Sequence, residues 1–374
     1  MQQYCLVCER RSPSGNLYCE QSYCPGELSP WVFETGERIG DIEIVRLVTV
    51  LRSAAVYAAL RQGEQVYVKI AHQGNHNKER LKREAELLAV AQTQNVTAPF
   101  FPVLLPPTVP SSAKGQTYGK VVAAGTLLYY YVFQYMEAES LRYILRKQPQ
   151  LWINHVGWIG LGVATALAYM HKRARFDFAL CPEAVLVAFD KEPPNTPRIL
   201  LVDLGVVSTG DQLPANWSPG FVDPVYAAPE LVDDRSYEFK HQGTQIAPEP
   251  RTDVYGLGML LYEMLIGEPP VPSLLRSDRD VLAAVQRGQR LAMDRVDDVK
   301  AVAELAQQAT DVKPGRRLSD PAAFGHQLQT QFGPIPEAKK RRTVSPHTLL
   351  VVAGALLAIA FLLAFSLSIV QFVS

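Results

Sequence analysis

The sequence has no excess of charge of either sign, since Lys plus Arg and Asp plus Glu both total 37 among 374 residues. A protein with nucleic acid as its main partner usually carries a basic excess, because it must neutralise phosphates. The balance therefore argues against nucleic acid as a partner. Internal repeats and low-complexity tracts are also missing, and with 48% hydrophobic residues the chain is long enough for a two-lobed core with appendages.

Charge is missing altogether from the C-terminal residues 348–374, and residues 349–370 are almost wholly apolar. At about 1.5 Å per residue, a helix of that length crosses the roughly 30 Å hydrocarbon layer of a bilayer. The alternative is a buried core helix, but such helices are usually shorter and carry a polar face. We therefore expect residues 348–373 to form one transmembrane helix.

The N-terminus lacks an apolar leader, because it is polar and rich in cysteine. The basic residues 339–342 precede the apolar segment, and an excess of Lys and Arg stays on the cytoplasmic side of a membrane. Residues 333–347 are thus expected to form a basic juxtamembrane linker. The predicted location is the cell membrane, with a single-pass C-terminal anchor and the folded domains in the cytoplasm.

Cysteine is scarce beyond the first 24 residues, which hold Cys5, Cys8, Cys19 and Cys24 in a C-x2-C and C-x4-C pattern. A segment this short cannot bury a core, and a cytosolic location disfavours disulfides. Two close pairs of thiolates suit a structural Zn²⁺ ion with tetrahedral coordination. We expect residues 1–30 to be a zinc-ribbon-like segment. A redox-sensitive thiol cluster and a degenerate ribbon without metal are the alternatives.

A lysine interrupts an apolar strand pattern, because residues 66–70 predict a strand that contains Lys69. Residues 78–92 predict a helix that carries Glu84, with apolar residues on one face. An ammonium group within an apolar strand needs a charged partner. We predict an ion pair between Lys69 and Glu84 across a cleft; the alternative is that Lys69 points to solvent at a sheet edge.

These two segments resemble the start of the bacterial Ser/Thr protein-kinase family, and further motifs follow in that family's order. The motifs are the strand lysine at 66–70, the helix glutamate at 83–85, the hinge at 131–136, the magnesium-binding aspartate at 199–205, and the segments 228–230, 252–258 and 313–317. The resemblance implies an α+β, two-lobed protein-kinase-like fold over residues 31–332. Its β-rich N-lobe would cover about 40–137 and its helical C-lobe about 138–332.

The resemblance also implies roles for six charged residues. Lys69, Glu84 and Asp203 stand at the nucleotide-binding positions of the family, and ATP with Mg²⁺ is the implied ligand. Glu230, Asp253 and Arg317 stand at positions that hold the C-lobe together. For Lys69, Glu84 and Asp203, nucleotide binding and a purely structural role both stay open, because ion pairs can persist without turnover.

The catalytic loop departs from the family's H-R-D-L-K-P-E-N pattern. The matching stretch runs from Asp177 to Ala184, which puts Ala179 at the position of the catalytic base. Ala184 stands where the family has the asparagine that binds a second Mg²⁺. Alanine offers neither a proton acceptor nor a metal ligand. These degenerate positions therefore predict that no catalytic residue is intact.

The glycine-rich loop of the family is missing as well. Thr49, Leu51 and Ala54 stand at the three glycine positions, where backbone N–H groups must approach phosphates closely. We expect Leu51 and Arg52 to lie over the pocket. A solvated surface position for Arg52 is expected rather than a role as a phosphate clamp.

Three functions remain open at this point. The first is a pseudokinase that acts as a signalling scaffold or allosteric regulator, with or without retained ATP binding. The second is an active Ser/Thr kinase with an atypical catalytic loop, and the third is a membrane adaptor in which the zinc-ribbon-like segment recruits partners beside an inert kinase fold. All three imply cytosolic protein partners and contact with the membrane through residues 348–373.

Overall fold

The computed structural model describes part of the chain. The described residues are 1–12, 19–21, 24, 26, 30–93, 100–107, 116–123, 125–204, 207–208, 219–233, 236, 238, 240, 249–272, 277–293 and 299–337. The chain divides into two units, Met1–Ile335 and Pro336–Ser374, and every element below belongs to the first. Within the described residues, no helix is long and apolar enough to cross a bilayer. The predicted transmembrane segment 348–373 and the basic residues 339–342 lie outside them.

The N-terminal part is a small antiparallel sheet that we call the cysteine module, residues 1–32. Its strands are β1 (Gln2–Tyr4), β2 (Arg11–Ser12) and β3 (Trp31–Val32), in the order β2-β1-β3. Met1, Tyr4 and Leu6 of this module pack on an apolar cluster of the next sheet.

The N-lobe is built on an antiparallel sheet with the order β4-β5-β6-β7-β10-β8, and β9 pairs with β10. Its strands are β4 (Arg38–Ile39), β5 (Ile42–Val50), β6 (Ala54–Arg61), β7 (Glu64–Ala71), β8 (Leu104–Leu105), β9 (Gly119–Ala123) and β10 (Thr126–Gln134). One helix, α1 (Asn75–Thr93), crosses between β7 and β8. It begins three residues before the predicted start at Lys78.

Side-chain alternation along β7 decides where its lysine lies. Val66, Val68 and Ile70 belong to the cluster beneath the cysteine module, whereas Tyr67 belongs to the main core on the other face. Because successive strand residues point to opposite faces, Lys69 lies on the same face as Tyr67. Lys69 therefore faces α1 and the C-lobe, and the edge-strand alternative is wrong.

The C-lobe is mainly helical. Its helices are α2 (Leu141–Lys147), α3 (Ile153–His171), α4 (Pro250–Ile266), α5 (Asp278–Gln286), α6 (Lys300–Ala309) and α7 (Pro321–Phe332). Its short strands are β11 (Glu139–Ser140), β12 (Arg175–Phe176), β13 (Val185–Phe189), β14 (Pro197–Leu201) and β15 (Val207–Ser208), in a β11-β13-β14 sheet and a β12-β15 pair.

Helices α3 and α4 form the centre of the C-lobe, because most of their residues are buried. Helix α4 ends at Gly267, whose φ of 86° lies in the left-handed region. A Cβ atom there would lie 2.6 Å from the Pro149 carbonyl oxygen, so the helix end admits only glycine. The packing of α3 and α4 fixes the platform on which the catalytic-loop residues lie.

Candidate functional site: the interlobe cleft and the cysteine cluster

The centre of the cleft is a fully buried charge cluster on three elements. The Lys69 Nζ on β7 lies 2.5 Å from the Glu84 Oε2 on α1 and 3.0 Å from the Asp203 Oδ1 that follows β14. It also donates a 2.7 Å hydrogen bond to the Val202 carbonyl. The structure thus brings together all three residues that the sequence assigned to this site.

Glu84 is held from both sides of the cleft. Its Oε1 accepts a 2.7 Å hydrogen bond from the Leu204 backbone N–H, while its Oε2 faces Lys69. Burial raises the pKa of the Glu84 carboxyl, although the Lys69 ammonium opposes that change. Helix α1 and the segment after β14 are therefore joined through one carboxylate.

Asp203 has a second cationic partner that the sequence interpretation missed. The Arg80 Nη2 lies 3.0 Å from Asp203 Oδ2, and its Nε donates a 3.3 Å hydrogen bond to Oδ1. Burial alone would raise the pKa of Asp203, but Arg80 and Lys69 together hold it below its ordinary value. Arg80 lies four residues before Glu84, so a helix places both on one face. That spacing was the available signal.

Ala179 and Ala184, which the resemblance puts at the positions of the base and of a metal-binding asparagine, are both buried. Ala179 is 3% exposed and Ala184 is 1% exposed, and both belong to the main hydrophobic core. The loop itself is anchored by Asp253, which accepts hydrogen bonds of 3.0 Å from the Asp177 N–H and 2.7 Å from the Phe178 N–H. This contact supports the left-handed backbone of Phe178, whose φ is 58°.

Asp177 packs inward rather than toward the cleft mouth. Its side chain is 1% exposed, and neither carboxylate oxygen has a hydrogen-bond partner among the described residues. Burial, reinforced by the nearby Asp253 and Asp203, raises the pKa of this carboxyl well above its ordinary value. Burial therefore disfavours the ionised form of the Asp177 carboxyl.

The hairpin that replaces the glycine-rich loop is short and touches the C-lobe. Leu51 is 2% exposed, and its N–H donates to the Ala54 carbonyl at 2.8 Å. The Thr49 hydroxyl donates a 3.0 Å hydrogen bond to the Glu183 carbonyl across the cleft. The expected solvated position of Arg52 is wrong: its side chain is 13% exposed and pairs with Asp278 at 3.3 Å. The ion pair with Asp278 of the C-lobe accounts for the burial of the Arg52 side chain.

The space left in the cleft is a cavity of about 260 Å³ between this hairpin and α2. Ser140 and Asp203 line this cavity, as do Tyr4, Leu6 and Glu9 of the cysteine module. The Glu9 carboxylate pairs with both terminal nitrogens of Arg146 on α2. The cysteine module therefore contacts both lobes beside the cleft.

Glu230 and Arg317, which the resemblance assigns to holding the C-lobe together, form an ion pair. Arg317 and Glu230 form two parallel contacts, each of 2.8 Å, and the Arg317 side chain is 0% exposed. The Thr252 hydroxyl adds a 2.8 Å hydrogen bond to Glu230. Such bidentate geometry fixes the segment after the cleft against α4.

The four N-terminal cysteines converge in the cysteine module. Their Sγ atoms all lie within 4.8 Å of one another, with 3.8 Å between Cys5 and Cys24 and 3.2 Å between Cys8 and Cys19. Four thiolates about 2.3 Å from a tetrahedral metal ion would lie roughly 3.8 Å apart. A Cβ atom on Gly26 would lie 2.5 Å from Cys5 Sγ, so glycine lets the chain pass close to the cluster. The cluster can hold a metal ion.

A two-lobed fold with a strand lysine, a helix glutamate and a cleft aspartate in contact defines a protein-kinase-like protein. The family model described as protein kinase domain matches residues 52–329. Since that match covers more than half of the chain, the chain belongs to the protein kinase domain family.

Curated relatives include Ser/Thr protein kinases. A RAC family serine/threonine-protein kinase homolog of Dictyostelium discoideum is 26% identical over 51% of this chain and 39% of its own length. Serine/threonine-protein kinase pkn3 of Myxococcus xanthus is 26% identical over 58% of this chain and 41% of its own. The matched regions thus span less than half of either relative. The PknI kinase domain of Mycobacterium tuberculosis aligns with 80% of this chain and 99% of its own at 19% identity, with a TM-score of 0.47.

Proposed function

We propose that the chain is a pseudokinase, which regulates or assembles other proteins and does not transfer phosphate. The observation that carries this proposal is the buried pair Ala179 and Ala184 at the positions of the base and the second metal ligand. Loss of such groups typically lowers the rate of phosphoryl transfer by several powers of ten. The similarity to Ser/Thr kinases is equally compatible with an active enzyme, so a direct assay of phosphate transfer is needed.

An active enzyme would need another base, and Asp177 is the nearest acid in the loop sequence. Its 1% exposure and its position beside Asp253 argue against this role, because a base must come within hydrogen-bond reach of the substrate hydroxyl.

The test is transfer of radiolabelled phosphate from ATP, with Mg²⁺ or Mn²⁺, to the protein itself and to a generic acceptor. We expect no signal above that of Asp203→Asn, which retains the side-chain shape and removes the charge. A signal in the wild type that Asp203→Asn abolishes would establish an active kinase. Asp177→Asn would then show whether Asp177 is the base.

Magnesium-bound nucleotide fits these residues poorly, in our proposal. Both Asp203 oxygens face cations, Ala184 supplies no ligand, and Leu51 fills the place of a phosphate-binding glycine. Thermal denaturation with ATP and Mg²⁺ distinguishes an allosteric nucleotide sensor from an inert adaptor. A ligand at a hundredfold excess over its Kd would stabilise the fold by roughly 2.7 kcal/mol. We expect no shift in melting temperature.

The metal of the cysteine module is proposed to be Zn²⁺, because four clustered thiolates favour a soft, tetrahedral ion. Such a site would be structural, since all four ligands come from the protein. Metal analysis of the purified chain should find one Zn²⁺ per molecule, and Cys5→Ser should lower that content. An unchanged metal content in the variant would contradict the assignment.

Membrane anchoring through residues 348–373 is proposed from the sequence alone. It would keep the folded domains in the cytoplasm, where protein partners could be gathered. Removal of residues 348–374 should release the protein from the membrane fraction. Digestion of the kinase fold by protease added outside intact spheroplasts would contradict this topology.

A further inference from the structure

Arg80 is a cleft cation to which none of the family motifs in the sequence assigns a role. It lies on α1 with 1% exposure, and its guanidinium reaches both oxygens of Asp203, at 3.3 Å to Oδ1 and 3.0 Å to Oδ2. Asp203 is the residue that the family resemblance assigns to the metal ion. We propose that Arg80 is a built-in cation that occupies the metal-binding carboxylate and keeps divalent ions out of the cleft. This proposal deepens the proposed pseudokinase function and rests on it.

The surroundings of Arg80 hold its guanidinium in place. The Phe221 ring, itself 5% exposed, lies with its centroid 4.8 Å from Arg80 Cζ, within the range of a cation–π contact. Burial opposes the charge, but the Asp203 carboxylate keeps the pKa of Arg80 above its ordinary value. The buried guanidinium is therefore held between an aromatic ring and a carboxylate.

The charges around Asp203 disfavour the binding of a divalent ion to its carboxylate. Lys69 lies 3.0 Å from Oδ1, so two cations already share one carboxylate. Mg²⁺ needs oxygen ligands in near-octahedral geometry, and Ala184 has no side-chain oxygen to serve as a second protein ligand. A divalent ion at Asp203 would also face Arg80 and Lys69 at close range, where like charges repel strongly. Metal exclusion is therefore a property of α1 as well as of the catalytic loop.

The test measures Mn²⁺ binding to the full-length, metal-loaded protein by electron paramagnetic resonance of free Mn²⁺, without nucleotide. Arg80→Met keeps most of the side-chain volume and removes the charge. We expect Arg80→Met to bind Mn²⁺ at least about tenfold more tightly than the wild type. The added Asp203→Asn change should abolish the gain. The matched control is Lys82→Met on the same helix, because the Lys82 Nζ pairs with Glu79 at 3.0 Å. This control should leave Mn²⁺ binding unchanged.

Two results would overturn the proposal: wild-type Mn²⁺ binding that Asp203→Asn removes, or equal binding by folded Arg80→Met and the wild type. Should Arg80→Met not fold, Arg80→Gln replaces it, and the wild-type measurement still stands alone. This experiment measures metal binding alone, whereas the pseudokinase proposal is tested separately by the phosphate-transfer assay, so the two proposals can fail independently. Metal binding by Arg80→Met without transfer would support both proposals, while equal binding without transfer would overturn only this one.

Discussion

Replacing Lys69 by methionine tests how much the buried charge cluster contributes to the fold. Lys69 is 1% exposed and Glu84 is 0% exposed, so the variant leaves a buried carboxylate without its nearest cation. Breaking a buried ion pair from one side typically costs about 3–5 kcal/mol. For a chain of this size, that cost should lower the melting temperature by roughly 4–6 °C.

The matched variant is Glu84→Gln, which removes the charge and keeps an oxygen to accept from the Leu204 N–H. Since the double variant no longer strands a charge, Lys69→Met/Glu84→Gln should be more stable than Lys69→Met. A coupling free energy of about 0.5–3 kcal/mol is typical of residues in one network. The measurement is urea denaturation of all four proteins, followed by fluorescence and circular dichroism together so that two-state unfolding is verified. A Lys69→Met variant within about 0.5 kcal/mol of the wild type would refute the reasoning.

Further predictions concern pH, metal and the C-lobe. Because burial raises the pKa of Asp177, the native state holds the proton of this carboxyl more tightly than the unfolded state does. Proton binding at Asp177 therefore stabilises the native state fully below the ordinary pKa of 3.8, and this stabilisation is lost as the pH rises through the pKa of the folded state. Asp177→Asn should therefore gain stability relative to the wild type as pH rises, by about 1.4 kcal/mol for each pH unit between the two pKa values; parallel pH profiles in urea denaturation would contradict this. Chelation of metal should lower the melting temperature of the wild type but not of Cys5→Ser, because the cysteine module covers an apolar face of the N-lobe sheet; equal effects on both would contradict it. Arg317→Lys should lower the free energy of unfolding in urea by about 1.5–3 kcal/mol, because lysine cannot reproduce two parallel contacts to Glu230; a neutral result would show that the bidentate geometry is dispensable.

The strand and helix of the cleft could be predicted because their signals are local. Alternation along β7 and the helical spacing around Glu84 depend only on neighbouring residues, and the two cysteine pairs are short-range patterns as well. The assignment of Ala179 and Ala184 to catalytic positions depends on the length and flanking residues that the loop shares with the family, and it stays a prediction. None of these inferences required knowledge of which lobe surfaces meet.

The missed contacts join residues far apart in the chain. Arg52 pairs with Asp278, and Glu9 pairs with Arg146, across separations that no sequence window contains. Arg80 was overlooked because a basic helix residue is usually solvated, whereas here the acid after β14 draws it into the cleft. The cover that the cysteine module forms over the N-lobe sheet likewise depends on tertiary packing.

The most direct test of the central claim is the intact mass of the purified protein after prolonged incubation with ATP and either Mg²⁺ or Mn²⁺. Mass spectrometry at high protein concentration detects even a single slow turnover within or between molecules. With no base at Ala179 and no metal ligand at Ala184, we predict the same mass before and after incubation. A mass increase of one or more phosphate groups in the wild type, absent from Asp203→Asn, would contradict the pseudokinase proposal.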